Sequence, residues 1–538
     1  MARVLFIENH DSFSWNVIDS LPFSRSEIEV VNAERAWRRL DRVDVVVMGP
    51  GPKDPIRAGL TELVRQIAGR KLPFLGVCLG HQALGMAFGA RLVRSVPAHG
   101  KRAIATFSGE GTFAGGEFEV MRYHSLSLDG VLPPLRVVAR LADRTVMAIE
   151  HETLPMAGLQ FHPDSFGTPR GRELIAKFFD RTASRPSSPA LPLPAGERVG
   201  ERADQLLSAL LERENFALLA PGYAKHGDWT LFEPAAEGKD SLWFATAEGR
   251  AAPVKGTARA INLRLDVDAK APSVRLDETG FLEGVKKIRD HIADGDVYQV
   301  NLTLRAQLEC ESGATLLAHL CRRSVPRFAA WVRLGTALSP AGRARQGVEF
   351  VSASPELLVE TQDRWVHVEP MKGTAPPDQR EWLEKSDKDR AELAMITDLL
   401  RDDLNRLCEP SSVIVRNERR MIELPYVVQS VADVEGTLRE GTTLQDVLAV
   451  VHPGGSVTGA PREAALQDIA ELESTPRSAY CGALGLETNG ASRVALLIRT
   501  AEKLGTEWRY GVGGGITWDS DPAAELEEVR LKLGALSS

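Results

Sequence analysis

Short unbroken apolar runs alternate with amphipathic stretches through the first 180 residues. Val4-Leu-Phe-Ile7, Val43-Asp-Val-Val-Val-Met48 and Pro73-Phe-Leu-Gly-Val77 have the length and branched content of strands buried on both faces. Helical stretches and Gly-Pro turns separate them, so the pattern predicts a doubly wound α/β domain. Later, Leu393, Ile396, Leu400, Leu404 and Leu407 recur at helical spacing within Arg390–Leu407. Shorter β-like runs lie around that helix at Val348–Ser352, Trp365–Val368 and Ser411–Val415. Pro453-Gly-Gly-Ser456 and Gly511-Val-Gly-Gly-Gly515 read as glycine-rich turns, and the whole predicts a mixed α+β domain.

Between the two patterns, residues 181–204 are rich in Pro, Ser, Gly and Arg and have no hydrophobic period. Such a segment cannot bury enough surface to offset its chain entropy, so a semi-extended linker is expected. The chain then divides into a domain at 1–182, a linker at 183–205 and a domain at 206–538. Apolar residues make up 43% and charged residues 26% of 538, the balance of an ordinary globular protein. A net charge of −8 without a basic patch excludes a general nucleic-acid binder. The five cysteines are scattered and form no CxxC pair, which argues against a disulfide framework or a zinc site. The N-terminus is unlike a secretory signal and no apolar run approaches the ~20 residues of a membrane span. A cytoplasmic protein with no membrane partner is expected.

Candidate chemistry changes the picture. In Gly76-Val-Cys-Leu-Gly80 a strand runs straight into a helix, and the glycines permit a sharp turn that exposes Cys78 at the helix N-terminus. The free N–H groups and dipole there favour a thiolate and a nearby oxyanion. Alone, such a cysteine is more often a buried structural thiol. Downstream, Gln160-Phe-His-Pro-Asp164 presents His162 and Asp164 from an extended segment, a base and a carboxylate to orient it.

Residues 1–180 resemble class I glutamine amidotransferases of the branch serving chorismate enzymes. The resemblance is carried by Gly49-Pro-Gly-Pro52, the Gly76–Gln82 elbow, His99-Gly-Lys101, Arg122-Tyr-His-Ser-Leu126 and Gln160–Asp164. It implies Cys78 as nucleophile and His162 as base, with Gly51 and Leu79 N–H groups as oxyanion hole. It also implies that Gly49, Gln82, Ser125 and Leu126 hold glutamine. The family usually has Glu where this chain has Asp164, one methylene shorter.

In the second domain Glu392 opens an apolar-striped helix, while Asp521-Pro-Ala-Ala-Glu-Leu-Glu-Glu528 starts another with Asp as cap. Carboxylates converging from two helices can hold Mg²⁺, although acidic helix faces are more often merely wet. Glycines at 511–515 can bring N–H groups to an anion, and Arg499 can clamp a carboxylate.

From about residue 281 onward the chain resembles the chorismate-utilising enzymes, the anthranilate, aminodeoxychorismate and isochorismate synthases. Matching segments include Gly295–Leu302, Ser354-Pro-Glu356, Pro370–Thr374, Lys388–Glu392, Asp398–Asp403, Pro453–Pro461, Ile498-Arg-Thr500 and Gly513–Gly515. The resemblance implies that Glu392, Glu525 and Glu528 hold Mg²⁺ and that Gly373, Thr374, Tyr480, Arg499, Gly513, Gly514 and Gly515 bind chorismate. Lysine at 372 resembles the aminodeoxychorismate branch, where anthranilate synthases carry a small residue. That branch implies Lys372 as nucleophile at ring carbon 2, Glu356 as general acid, and 4-amino-4-deoxychorismate as product. Ammonia is expected to pass between the domains, and a separate lyase to form para-aminobenzoate. Anthranilate or 2-amino-2-deoxyisochorismate synthesis, or a non-catalytic descendant, are the alternatives. Glu369 stands for a usual arginine, Arg462 for a lysine, and Val427 for a histidine of anthranilate synthases. The stretch before Asp277 is short beside the lobe that binds tryptophan in some members, so no tryptophan feedback is expected.

Overall fold

Val4–Glu8, Val45–Met48 and Phe74–Val77 form strands where unbroken apolar runs predicted them. In the computed structural model, which describes residues 3–109, 111–113, 115–180, 215–223, 229–261, 271–322, 325–335, 347–423 and 427–537, they belong to a nine-stranded sheet. The expected linker at 183–205 lies outside the described residues. The strands at 28–32, 4–8, 45–48, 74–77 and 156–159 are parallel neighbours. The other four are antiparallel. Leu63, Val64 and Ile67 of one helix cover one face, and Leu174, Ile175 and Phe178 of another cover the opposite one. Burial on both faces is why these runs carry no polar alternation.

The second half is an antiparallel network of eighteen described strands with helices packed around it. Three sequence expectations are corrected here. The long helix spans Asp387–Asn405 rather than Arg390–Leu407, because the Ser386 hydroxyl caps it by accepting from Asp389 N. The strand expected from Ser411 begins at Ile414, since Ser411 has φ 58° and turns the chain. Gly511–Gly515 is not a turn but part of strand Glu507–Ile516, in register with Gln299–Glu309. Its glycines serve close approach. A β-carbon on Gly511 would lie 2.1 Å from the Tyr480 ring, and one on Gly515 2.2 Å from the Gln299 amide nitrogen.

The Asp387–Asn405 helix also joins the halves. Asp402 accepts from Trp15 N at 2.6 Å and Asn16 N at 3.2 Å. It thereby caps helix Ser14–Ser20, whose own N-cap Phe13 offers no side-chain acceptor. Asn405 donates to the Asn16 side chain and Asn16 to the Asp398 carbonyl. Among the described residues no helix is long and apolar enough to cross a membrane.

Candidate active sites

Cys78 sits between strand Phe74–Val77 and helix Leu79–Ala87 with φ 51°, a left-handed conformation that costs about 1–3 kcal/mol and that surrounding packing must impose. Gly76 and Gly80 make that turn possible. A β-carbon on Gly76 would meet the Gly80 backbone at 2.4 Å, and one on Gly80 the Met48 carbonyl oxygen at 2.3 Å. Gly51 packs against Leu79, since a β-carbon there would lie 2.7 Å from its side chain. The two residues expected to supply the oxyanion hole are therefore neighbours.

The segment after His162 turns rather than continuing extended, yet His162 Nδ1 and Asp164 Oδ1 lie 3.4 Å apart, both buried. Burial disfavours the imidazolium, but the Asp164 carboxylate and Cys78 outweigh it and hold His162 well above its ordinary pKa. That arrangement suits a base that must keep a proton taken from a thiol. Gln160 donates to Cys78 Sγ at 3.7 Å. Gln82 donates to the Leu126 carbonyl at 3.0 Å and to Gln160 at 3.3 Å, so Gln82 and Leu126, both expected glutamine contacts, are bonded neighbours. Ser125 differs, because its hydroxyl donates at 2.6 Å to the Ile292 carbonyl of the second half.

That second half reaches the thiol site elsewhere too. The Tyr298 hydroxyl donates to Asp11 at 2.8 Å, and its ring stacks on Phe13 and His99. Burial raises Asp11 to about 6, against the charge of His162 and the Tyr298 bond. Gly100 has φ 68°, and a β-carbon there would lie 2.1 Å from the Ala391 carbonyl oxygen. Beside it runs a cavity lined by His99, Lys101, Tyr298, Lys388, Glu392 and Trp518. It therefore borders Glu392 on one side and, on the other, Tyr298 and His99, which stack on each other.

At the second site Lys372 Nζ lies 3.6 Å from Glu392 Oε2, each side chain 12% exposed. Gly515 leaves room for that amine, because a β-carbon would stand 3.0 Å from it. Glu356 is buried and accepts from Ser456 Oγ at 2.7 Å. Burial lifts its carboxyl to about 7, opposed by the Ser456 bond and the Lys372 charge. An acid poised near neutrality can give up a proton during turnover. Gly373 has φ 83° and packs on Leu383 and Asp389, and Thr374 accepts from Gln429 at 3.4 Å. Tyr480 is buried beneath the Arg305 guanidinium, whereas Arg499 is exposed with φ 51°. The pairing of strand Glu507–Ile516 with Thr500–Leu504 ends at Tyr510, so among the described residues Gly513–Gly515 have one edge without a strand partner.

The three carboxylates expected to hold magnesium are not gathered into a ready-made cluster. Among the described residues no three His, Cys, Asp or Glu side chains are close enough to ligate one ion. Ammonium groups stand between them. Lys388 Nζ is 3.1 Å from Glu525 and 4.0 Å from Glu392, and Lys532 Nζ is 2.8 Å from Glu528. The donor chemistry still fits a hard cation, because Glu392 and Glu525 already share one positive charge. Burial raises the Glu392 carboxyl, and the Lys372 and Lys388 charges oppose the rise.

The departures from the family pattern are compensated. Glu369 pairs with Arg327 at 2.5 Å and Arg420 at 2.6 Å, and Arg462 pairs with Asp403. Residue-by-residue reading missed Asp11, Tyr298 and Gln299, whose amide is fully buried with neither atom hydrogen-bonded among the described residues. Tyr298 and Gln299 lie inside a matching segment, which was the available signal. Asp11 had none.

Residues 239–538 match the family model for chorismate binding enzymes, and residues 5–182 match that for class-I glutamine amidotransferases. The chain belongs to the chorismate binding enzyme family, with a class-I amidotransferase domain fused ahead of it. A protein of Streptomyces griseus named aminodeoxychorismate synthase is 30% identical, over 99% of this chain and 95% of its own length. Its namesake in Streptomyces pristinaespiralis is 29% identical, over 99% and 96%. Anthranilate synthase component 1 of Streptomyces coelicolor is 32% identical but covers 64% of this chain and 68% of its own. The menaquinone-specific isochorismate synthase of Escherichia coli shares the fold of the second half, with TM-score 0.51 and 18% identity over 62% of this chain and 91% of its own.

Proposed function

We propose that this protein is a glutamine-dependent aminodeoxychorismate synthase, releasing ammonia from glutamine in its first domain and adding it to carbon 4 of chorismate in its second. The observation that carries the reading is the half-buried Lys372 amine, 3.6 Å from Glu392 and beside Gly515. Similarity along nearly the whole chain to proteins bearing that name supports it.

In the first reaction the Cys78 thiol attacks the side-chain amide carbon of glutamine. His162, oriented by Asp164, takes the thiol proton and passes it to the departing nitrogen. Ammonia leaves, and water hydrolyses the thioester to glutamate. Gly51 and Leu79 N–H groups hold the oxyanion, while Gly49, Gln82, Ser125 and Leu126 hold the substrate. In the second reaction Lys372, having given its ammonium proton to solvent, attacks carbon 2 of chorismate as the free amine while Glu356 protonates the carbon 4 hydroxyl, which leaves as water. Ammonia then attacks carbon 4, the double bonds shift back and the lysine departs, so the enolpyruvyl group is retained.

Glu392, Glu525 and Glu528 would hold Mg²⁺, which when bound supplies the positive charge that anchors the ring carboxylate. Gly373, Thr374, Tyr480, Arg499 and the edge at Gly513–Gly515 orient the rest of the ring, and the Gln299 amide, without a hydrogen-bond partner among the described residues, lies against Gly515. Ammonia crosses between the reactions out of bulk water, a reading supported by the cavity bordered by Tyr298 and Glu392. A separate lyase would take the product on to para-aminobenzoate in the cytoplasm. Incubation with glutamine, magnesium and chorismate, with products separated against standards, is expected to yield 4-amino-4-deoxychorismate. Anthranilate or 2-amino-2-deoxyisochorismate as the main product overturns the proposal.

A further inference from the structure

The triad carries an unusual weakness. A base beside a nucleophile needs a third group to fix its ring, ordinarily through a hydrogen bond. Here Asp164 Oδ1 lies 3.4 Å from His162 Nδ1, longer than a good hydrogen bond, and neither it nor either ring nitrogen of His162 makes an aligned hydrogen bond among the described residues.

What fixes the ring instead is aromatic. His162 stands edge-on to Tyr123 at 5.0 Å and to Phe13 at 5.4 Å, and those two rings stack at 4.6 Å. Both are tethered from the other half. The Tyr123 hydroxyl donates to Asp398 Oδ2 at 2.8 Å, and Phe13 stacks on Tyr298. Asp398 is 1% exposed and also accepts from the Ser165 hydroxyl and from Phe166 N at 3.5 Å, in the turn just after the triad acid. Arg401, which donates to Asp398 at 2.5 Å, also donates to the Asp164 carbonyl at 3.1 Å.

Resting on the glutaminase reading above, we infer that Asp398 is a positioning residue of the glutaminase centre. By pinning Tyr123 and Ser165 from the synthase half, it steadies a His162 ring that the short Asp164 carboxylate attracts but does not hold in an aligned hydrogen bond. Asp398 touches neither glutamine nor the thiol. It acts through the Tyr123 ring, so its removal should slow turnover without weakening glutamine binding to the same extent.

The test uses the full chain with chorismate present. Glutamate release is measured against glutamine concentration, and ammonia-driven amination is measured separately as a check on the synthase half. Asp398→Asn keeps the shape, but its single amide oxygen can accept either at the Oδ2 position, where both hydroxyls donate, or at the Oδ1 position, where Arg401 and Phe166 N donate, and not at both. It is expected to lower glutaminase kcat about tenfold or more, since misplacing a catalytic group by ~1 Å can cost a hundredfold. KM for glutamine and ammonia-driven amination should stay within about threefold. Adding Asp164→Glu, which restores reach to the ring, should recover most of the lost kcat, a rescue that a merely structural defect does not show. If Asp398→Asn also loses ammonia-driven amination, the decision passes to Tyr123→Phe, with and without Asp164→Glu, where the same loss and recovery are expected. Glutaminase kcat within about twofold of wild type, or no recovery with Asp164→Glu, overturns the inference alone. A wild-type protein that releases no glutamate from glutamine refutes the underlying reading as well.

Discussion

Removing the Ser456 hydroxyl should move the pH dependence of amination upward. That hydroxyl donates to Glu356 Oε1 at 2.7 Å, and the carboxyl is 6% exposed. Burial lifts Glu356 from 4.5 to about 7, while the Ser456 bond and the Lys372 charge oppose the rise. A lift of that size corresponds to ~3 kcal/mol in favour of the protonated form. A hydrogen bond to an ionised group contributes ~1.5–3 kcal/mol, so losing it raises Glu356 by about one to two further pH units. The sign follows from the role. A general acid works while it holds its proton, so wild-type activity falls as pH rises through about 7. In Ser456→Ala the proton is kept to about pH 8–9, and the falling limb moves with it. The assay is kcat/KM for chorismate across pH, driven by ammonia with the free base held constant so that nitrogen supply does not titrate. A limb that stays at the wild-type position, or moves to lower pH, refutes the assignment of Glu356 as the acid.

Other outcomes follow from the same geometry. Cys78→Ala should abolish glutamate release and leave ammonia-driven amination intact, read from the two assays side by side. Lys372→Ala should lose the chorismate adduct that intact-mass measurement detects in wild-type protein without a nitrogen donor. Gly100→Ala puts a β-carbon 2.1 Å from the Ala391 carbonyl oxygen at a residue with φ 68°. It should cost about 1–3 kcal/mol of stability and raise the fraction of glutamine nitrogen released to solvent, measured by an ammonia scavenger.

Legibility from sequence followed distance along the chain. The elbow at Cys78 was readable because its strand, both glycines and its helix fall within a few residues, and local sterics alone demand the turn. The buried parallel strands were readable for a similar reason, as burial on both faces removes polar alternation. Lys372, Glu356 and Glu392 belong to separate segments, and only resemblance grouped them. Gly511–Gly515 misled, because a glycine run signals turning when its partner is unknown, and here the partner strand begins at Gln299. Glu369, standing where the family has an arginine, is balanced by Arg327 and Arg420, both distant in sequence and so invisible to local reading. Asp11 and Tyr298, 287 residues apart, carry no local pattern that predicts their bond.

The Asp387–Asn405 helix spans nineteen residues, roughly 28 Å of nearly rigid rod. Its early turns present Glu392 to Lys372 and Lys388 to Glu525, and its later turns present Asp398 and Arg401 to the turn after His162 and Asp402 to the Ser14–Ser20 helix. Selection on this rod is therefore double-entry, since a change that suits one chemistry is also judged by the other. Grafting either half onto a foreign partner would have to carry the rod and its contacts together. Natural variation along it should come as matched pairs, such as Asn16 with Asn405 or Tyr123 with Asp398.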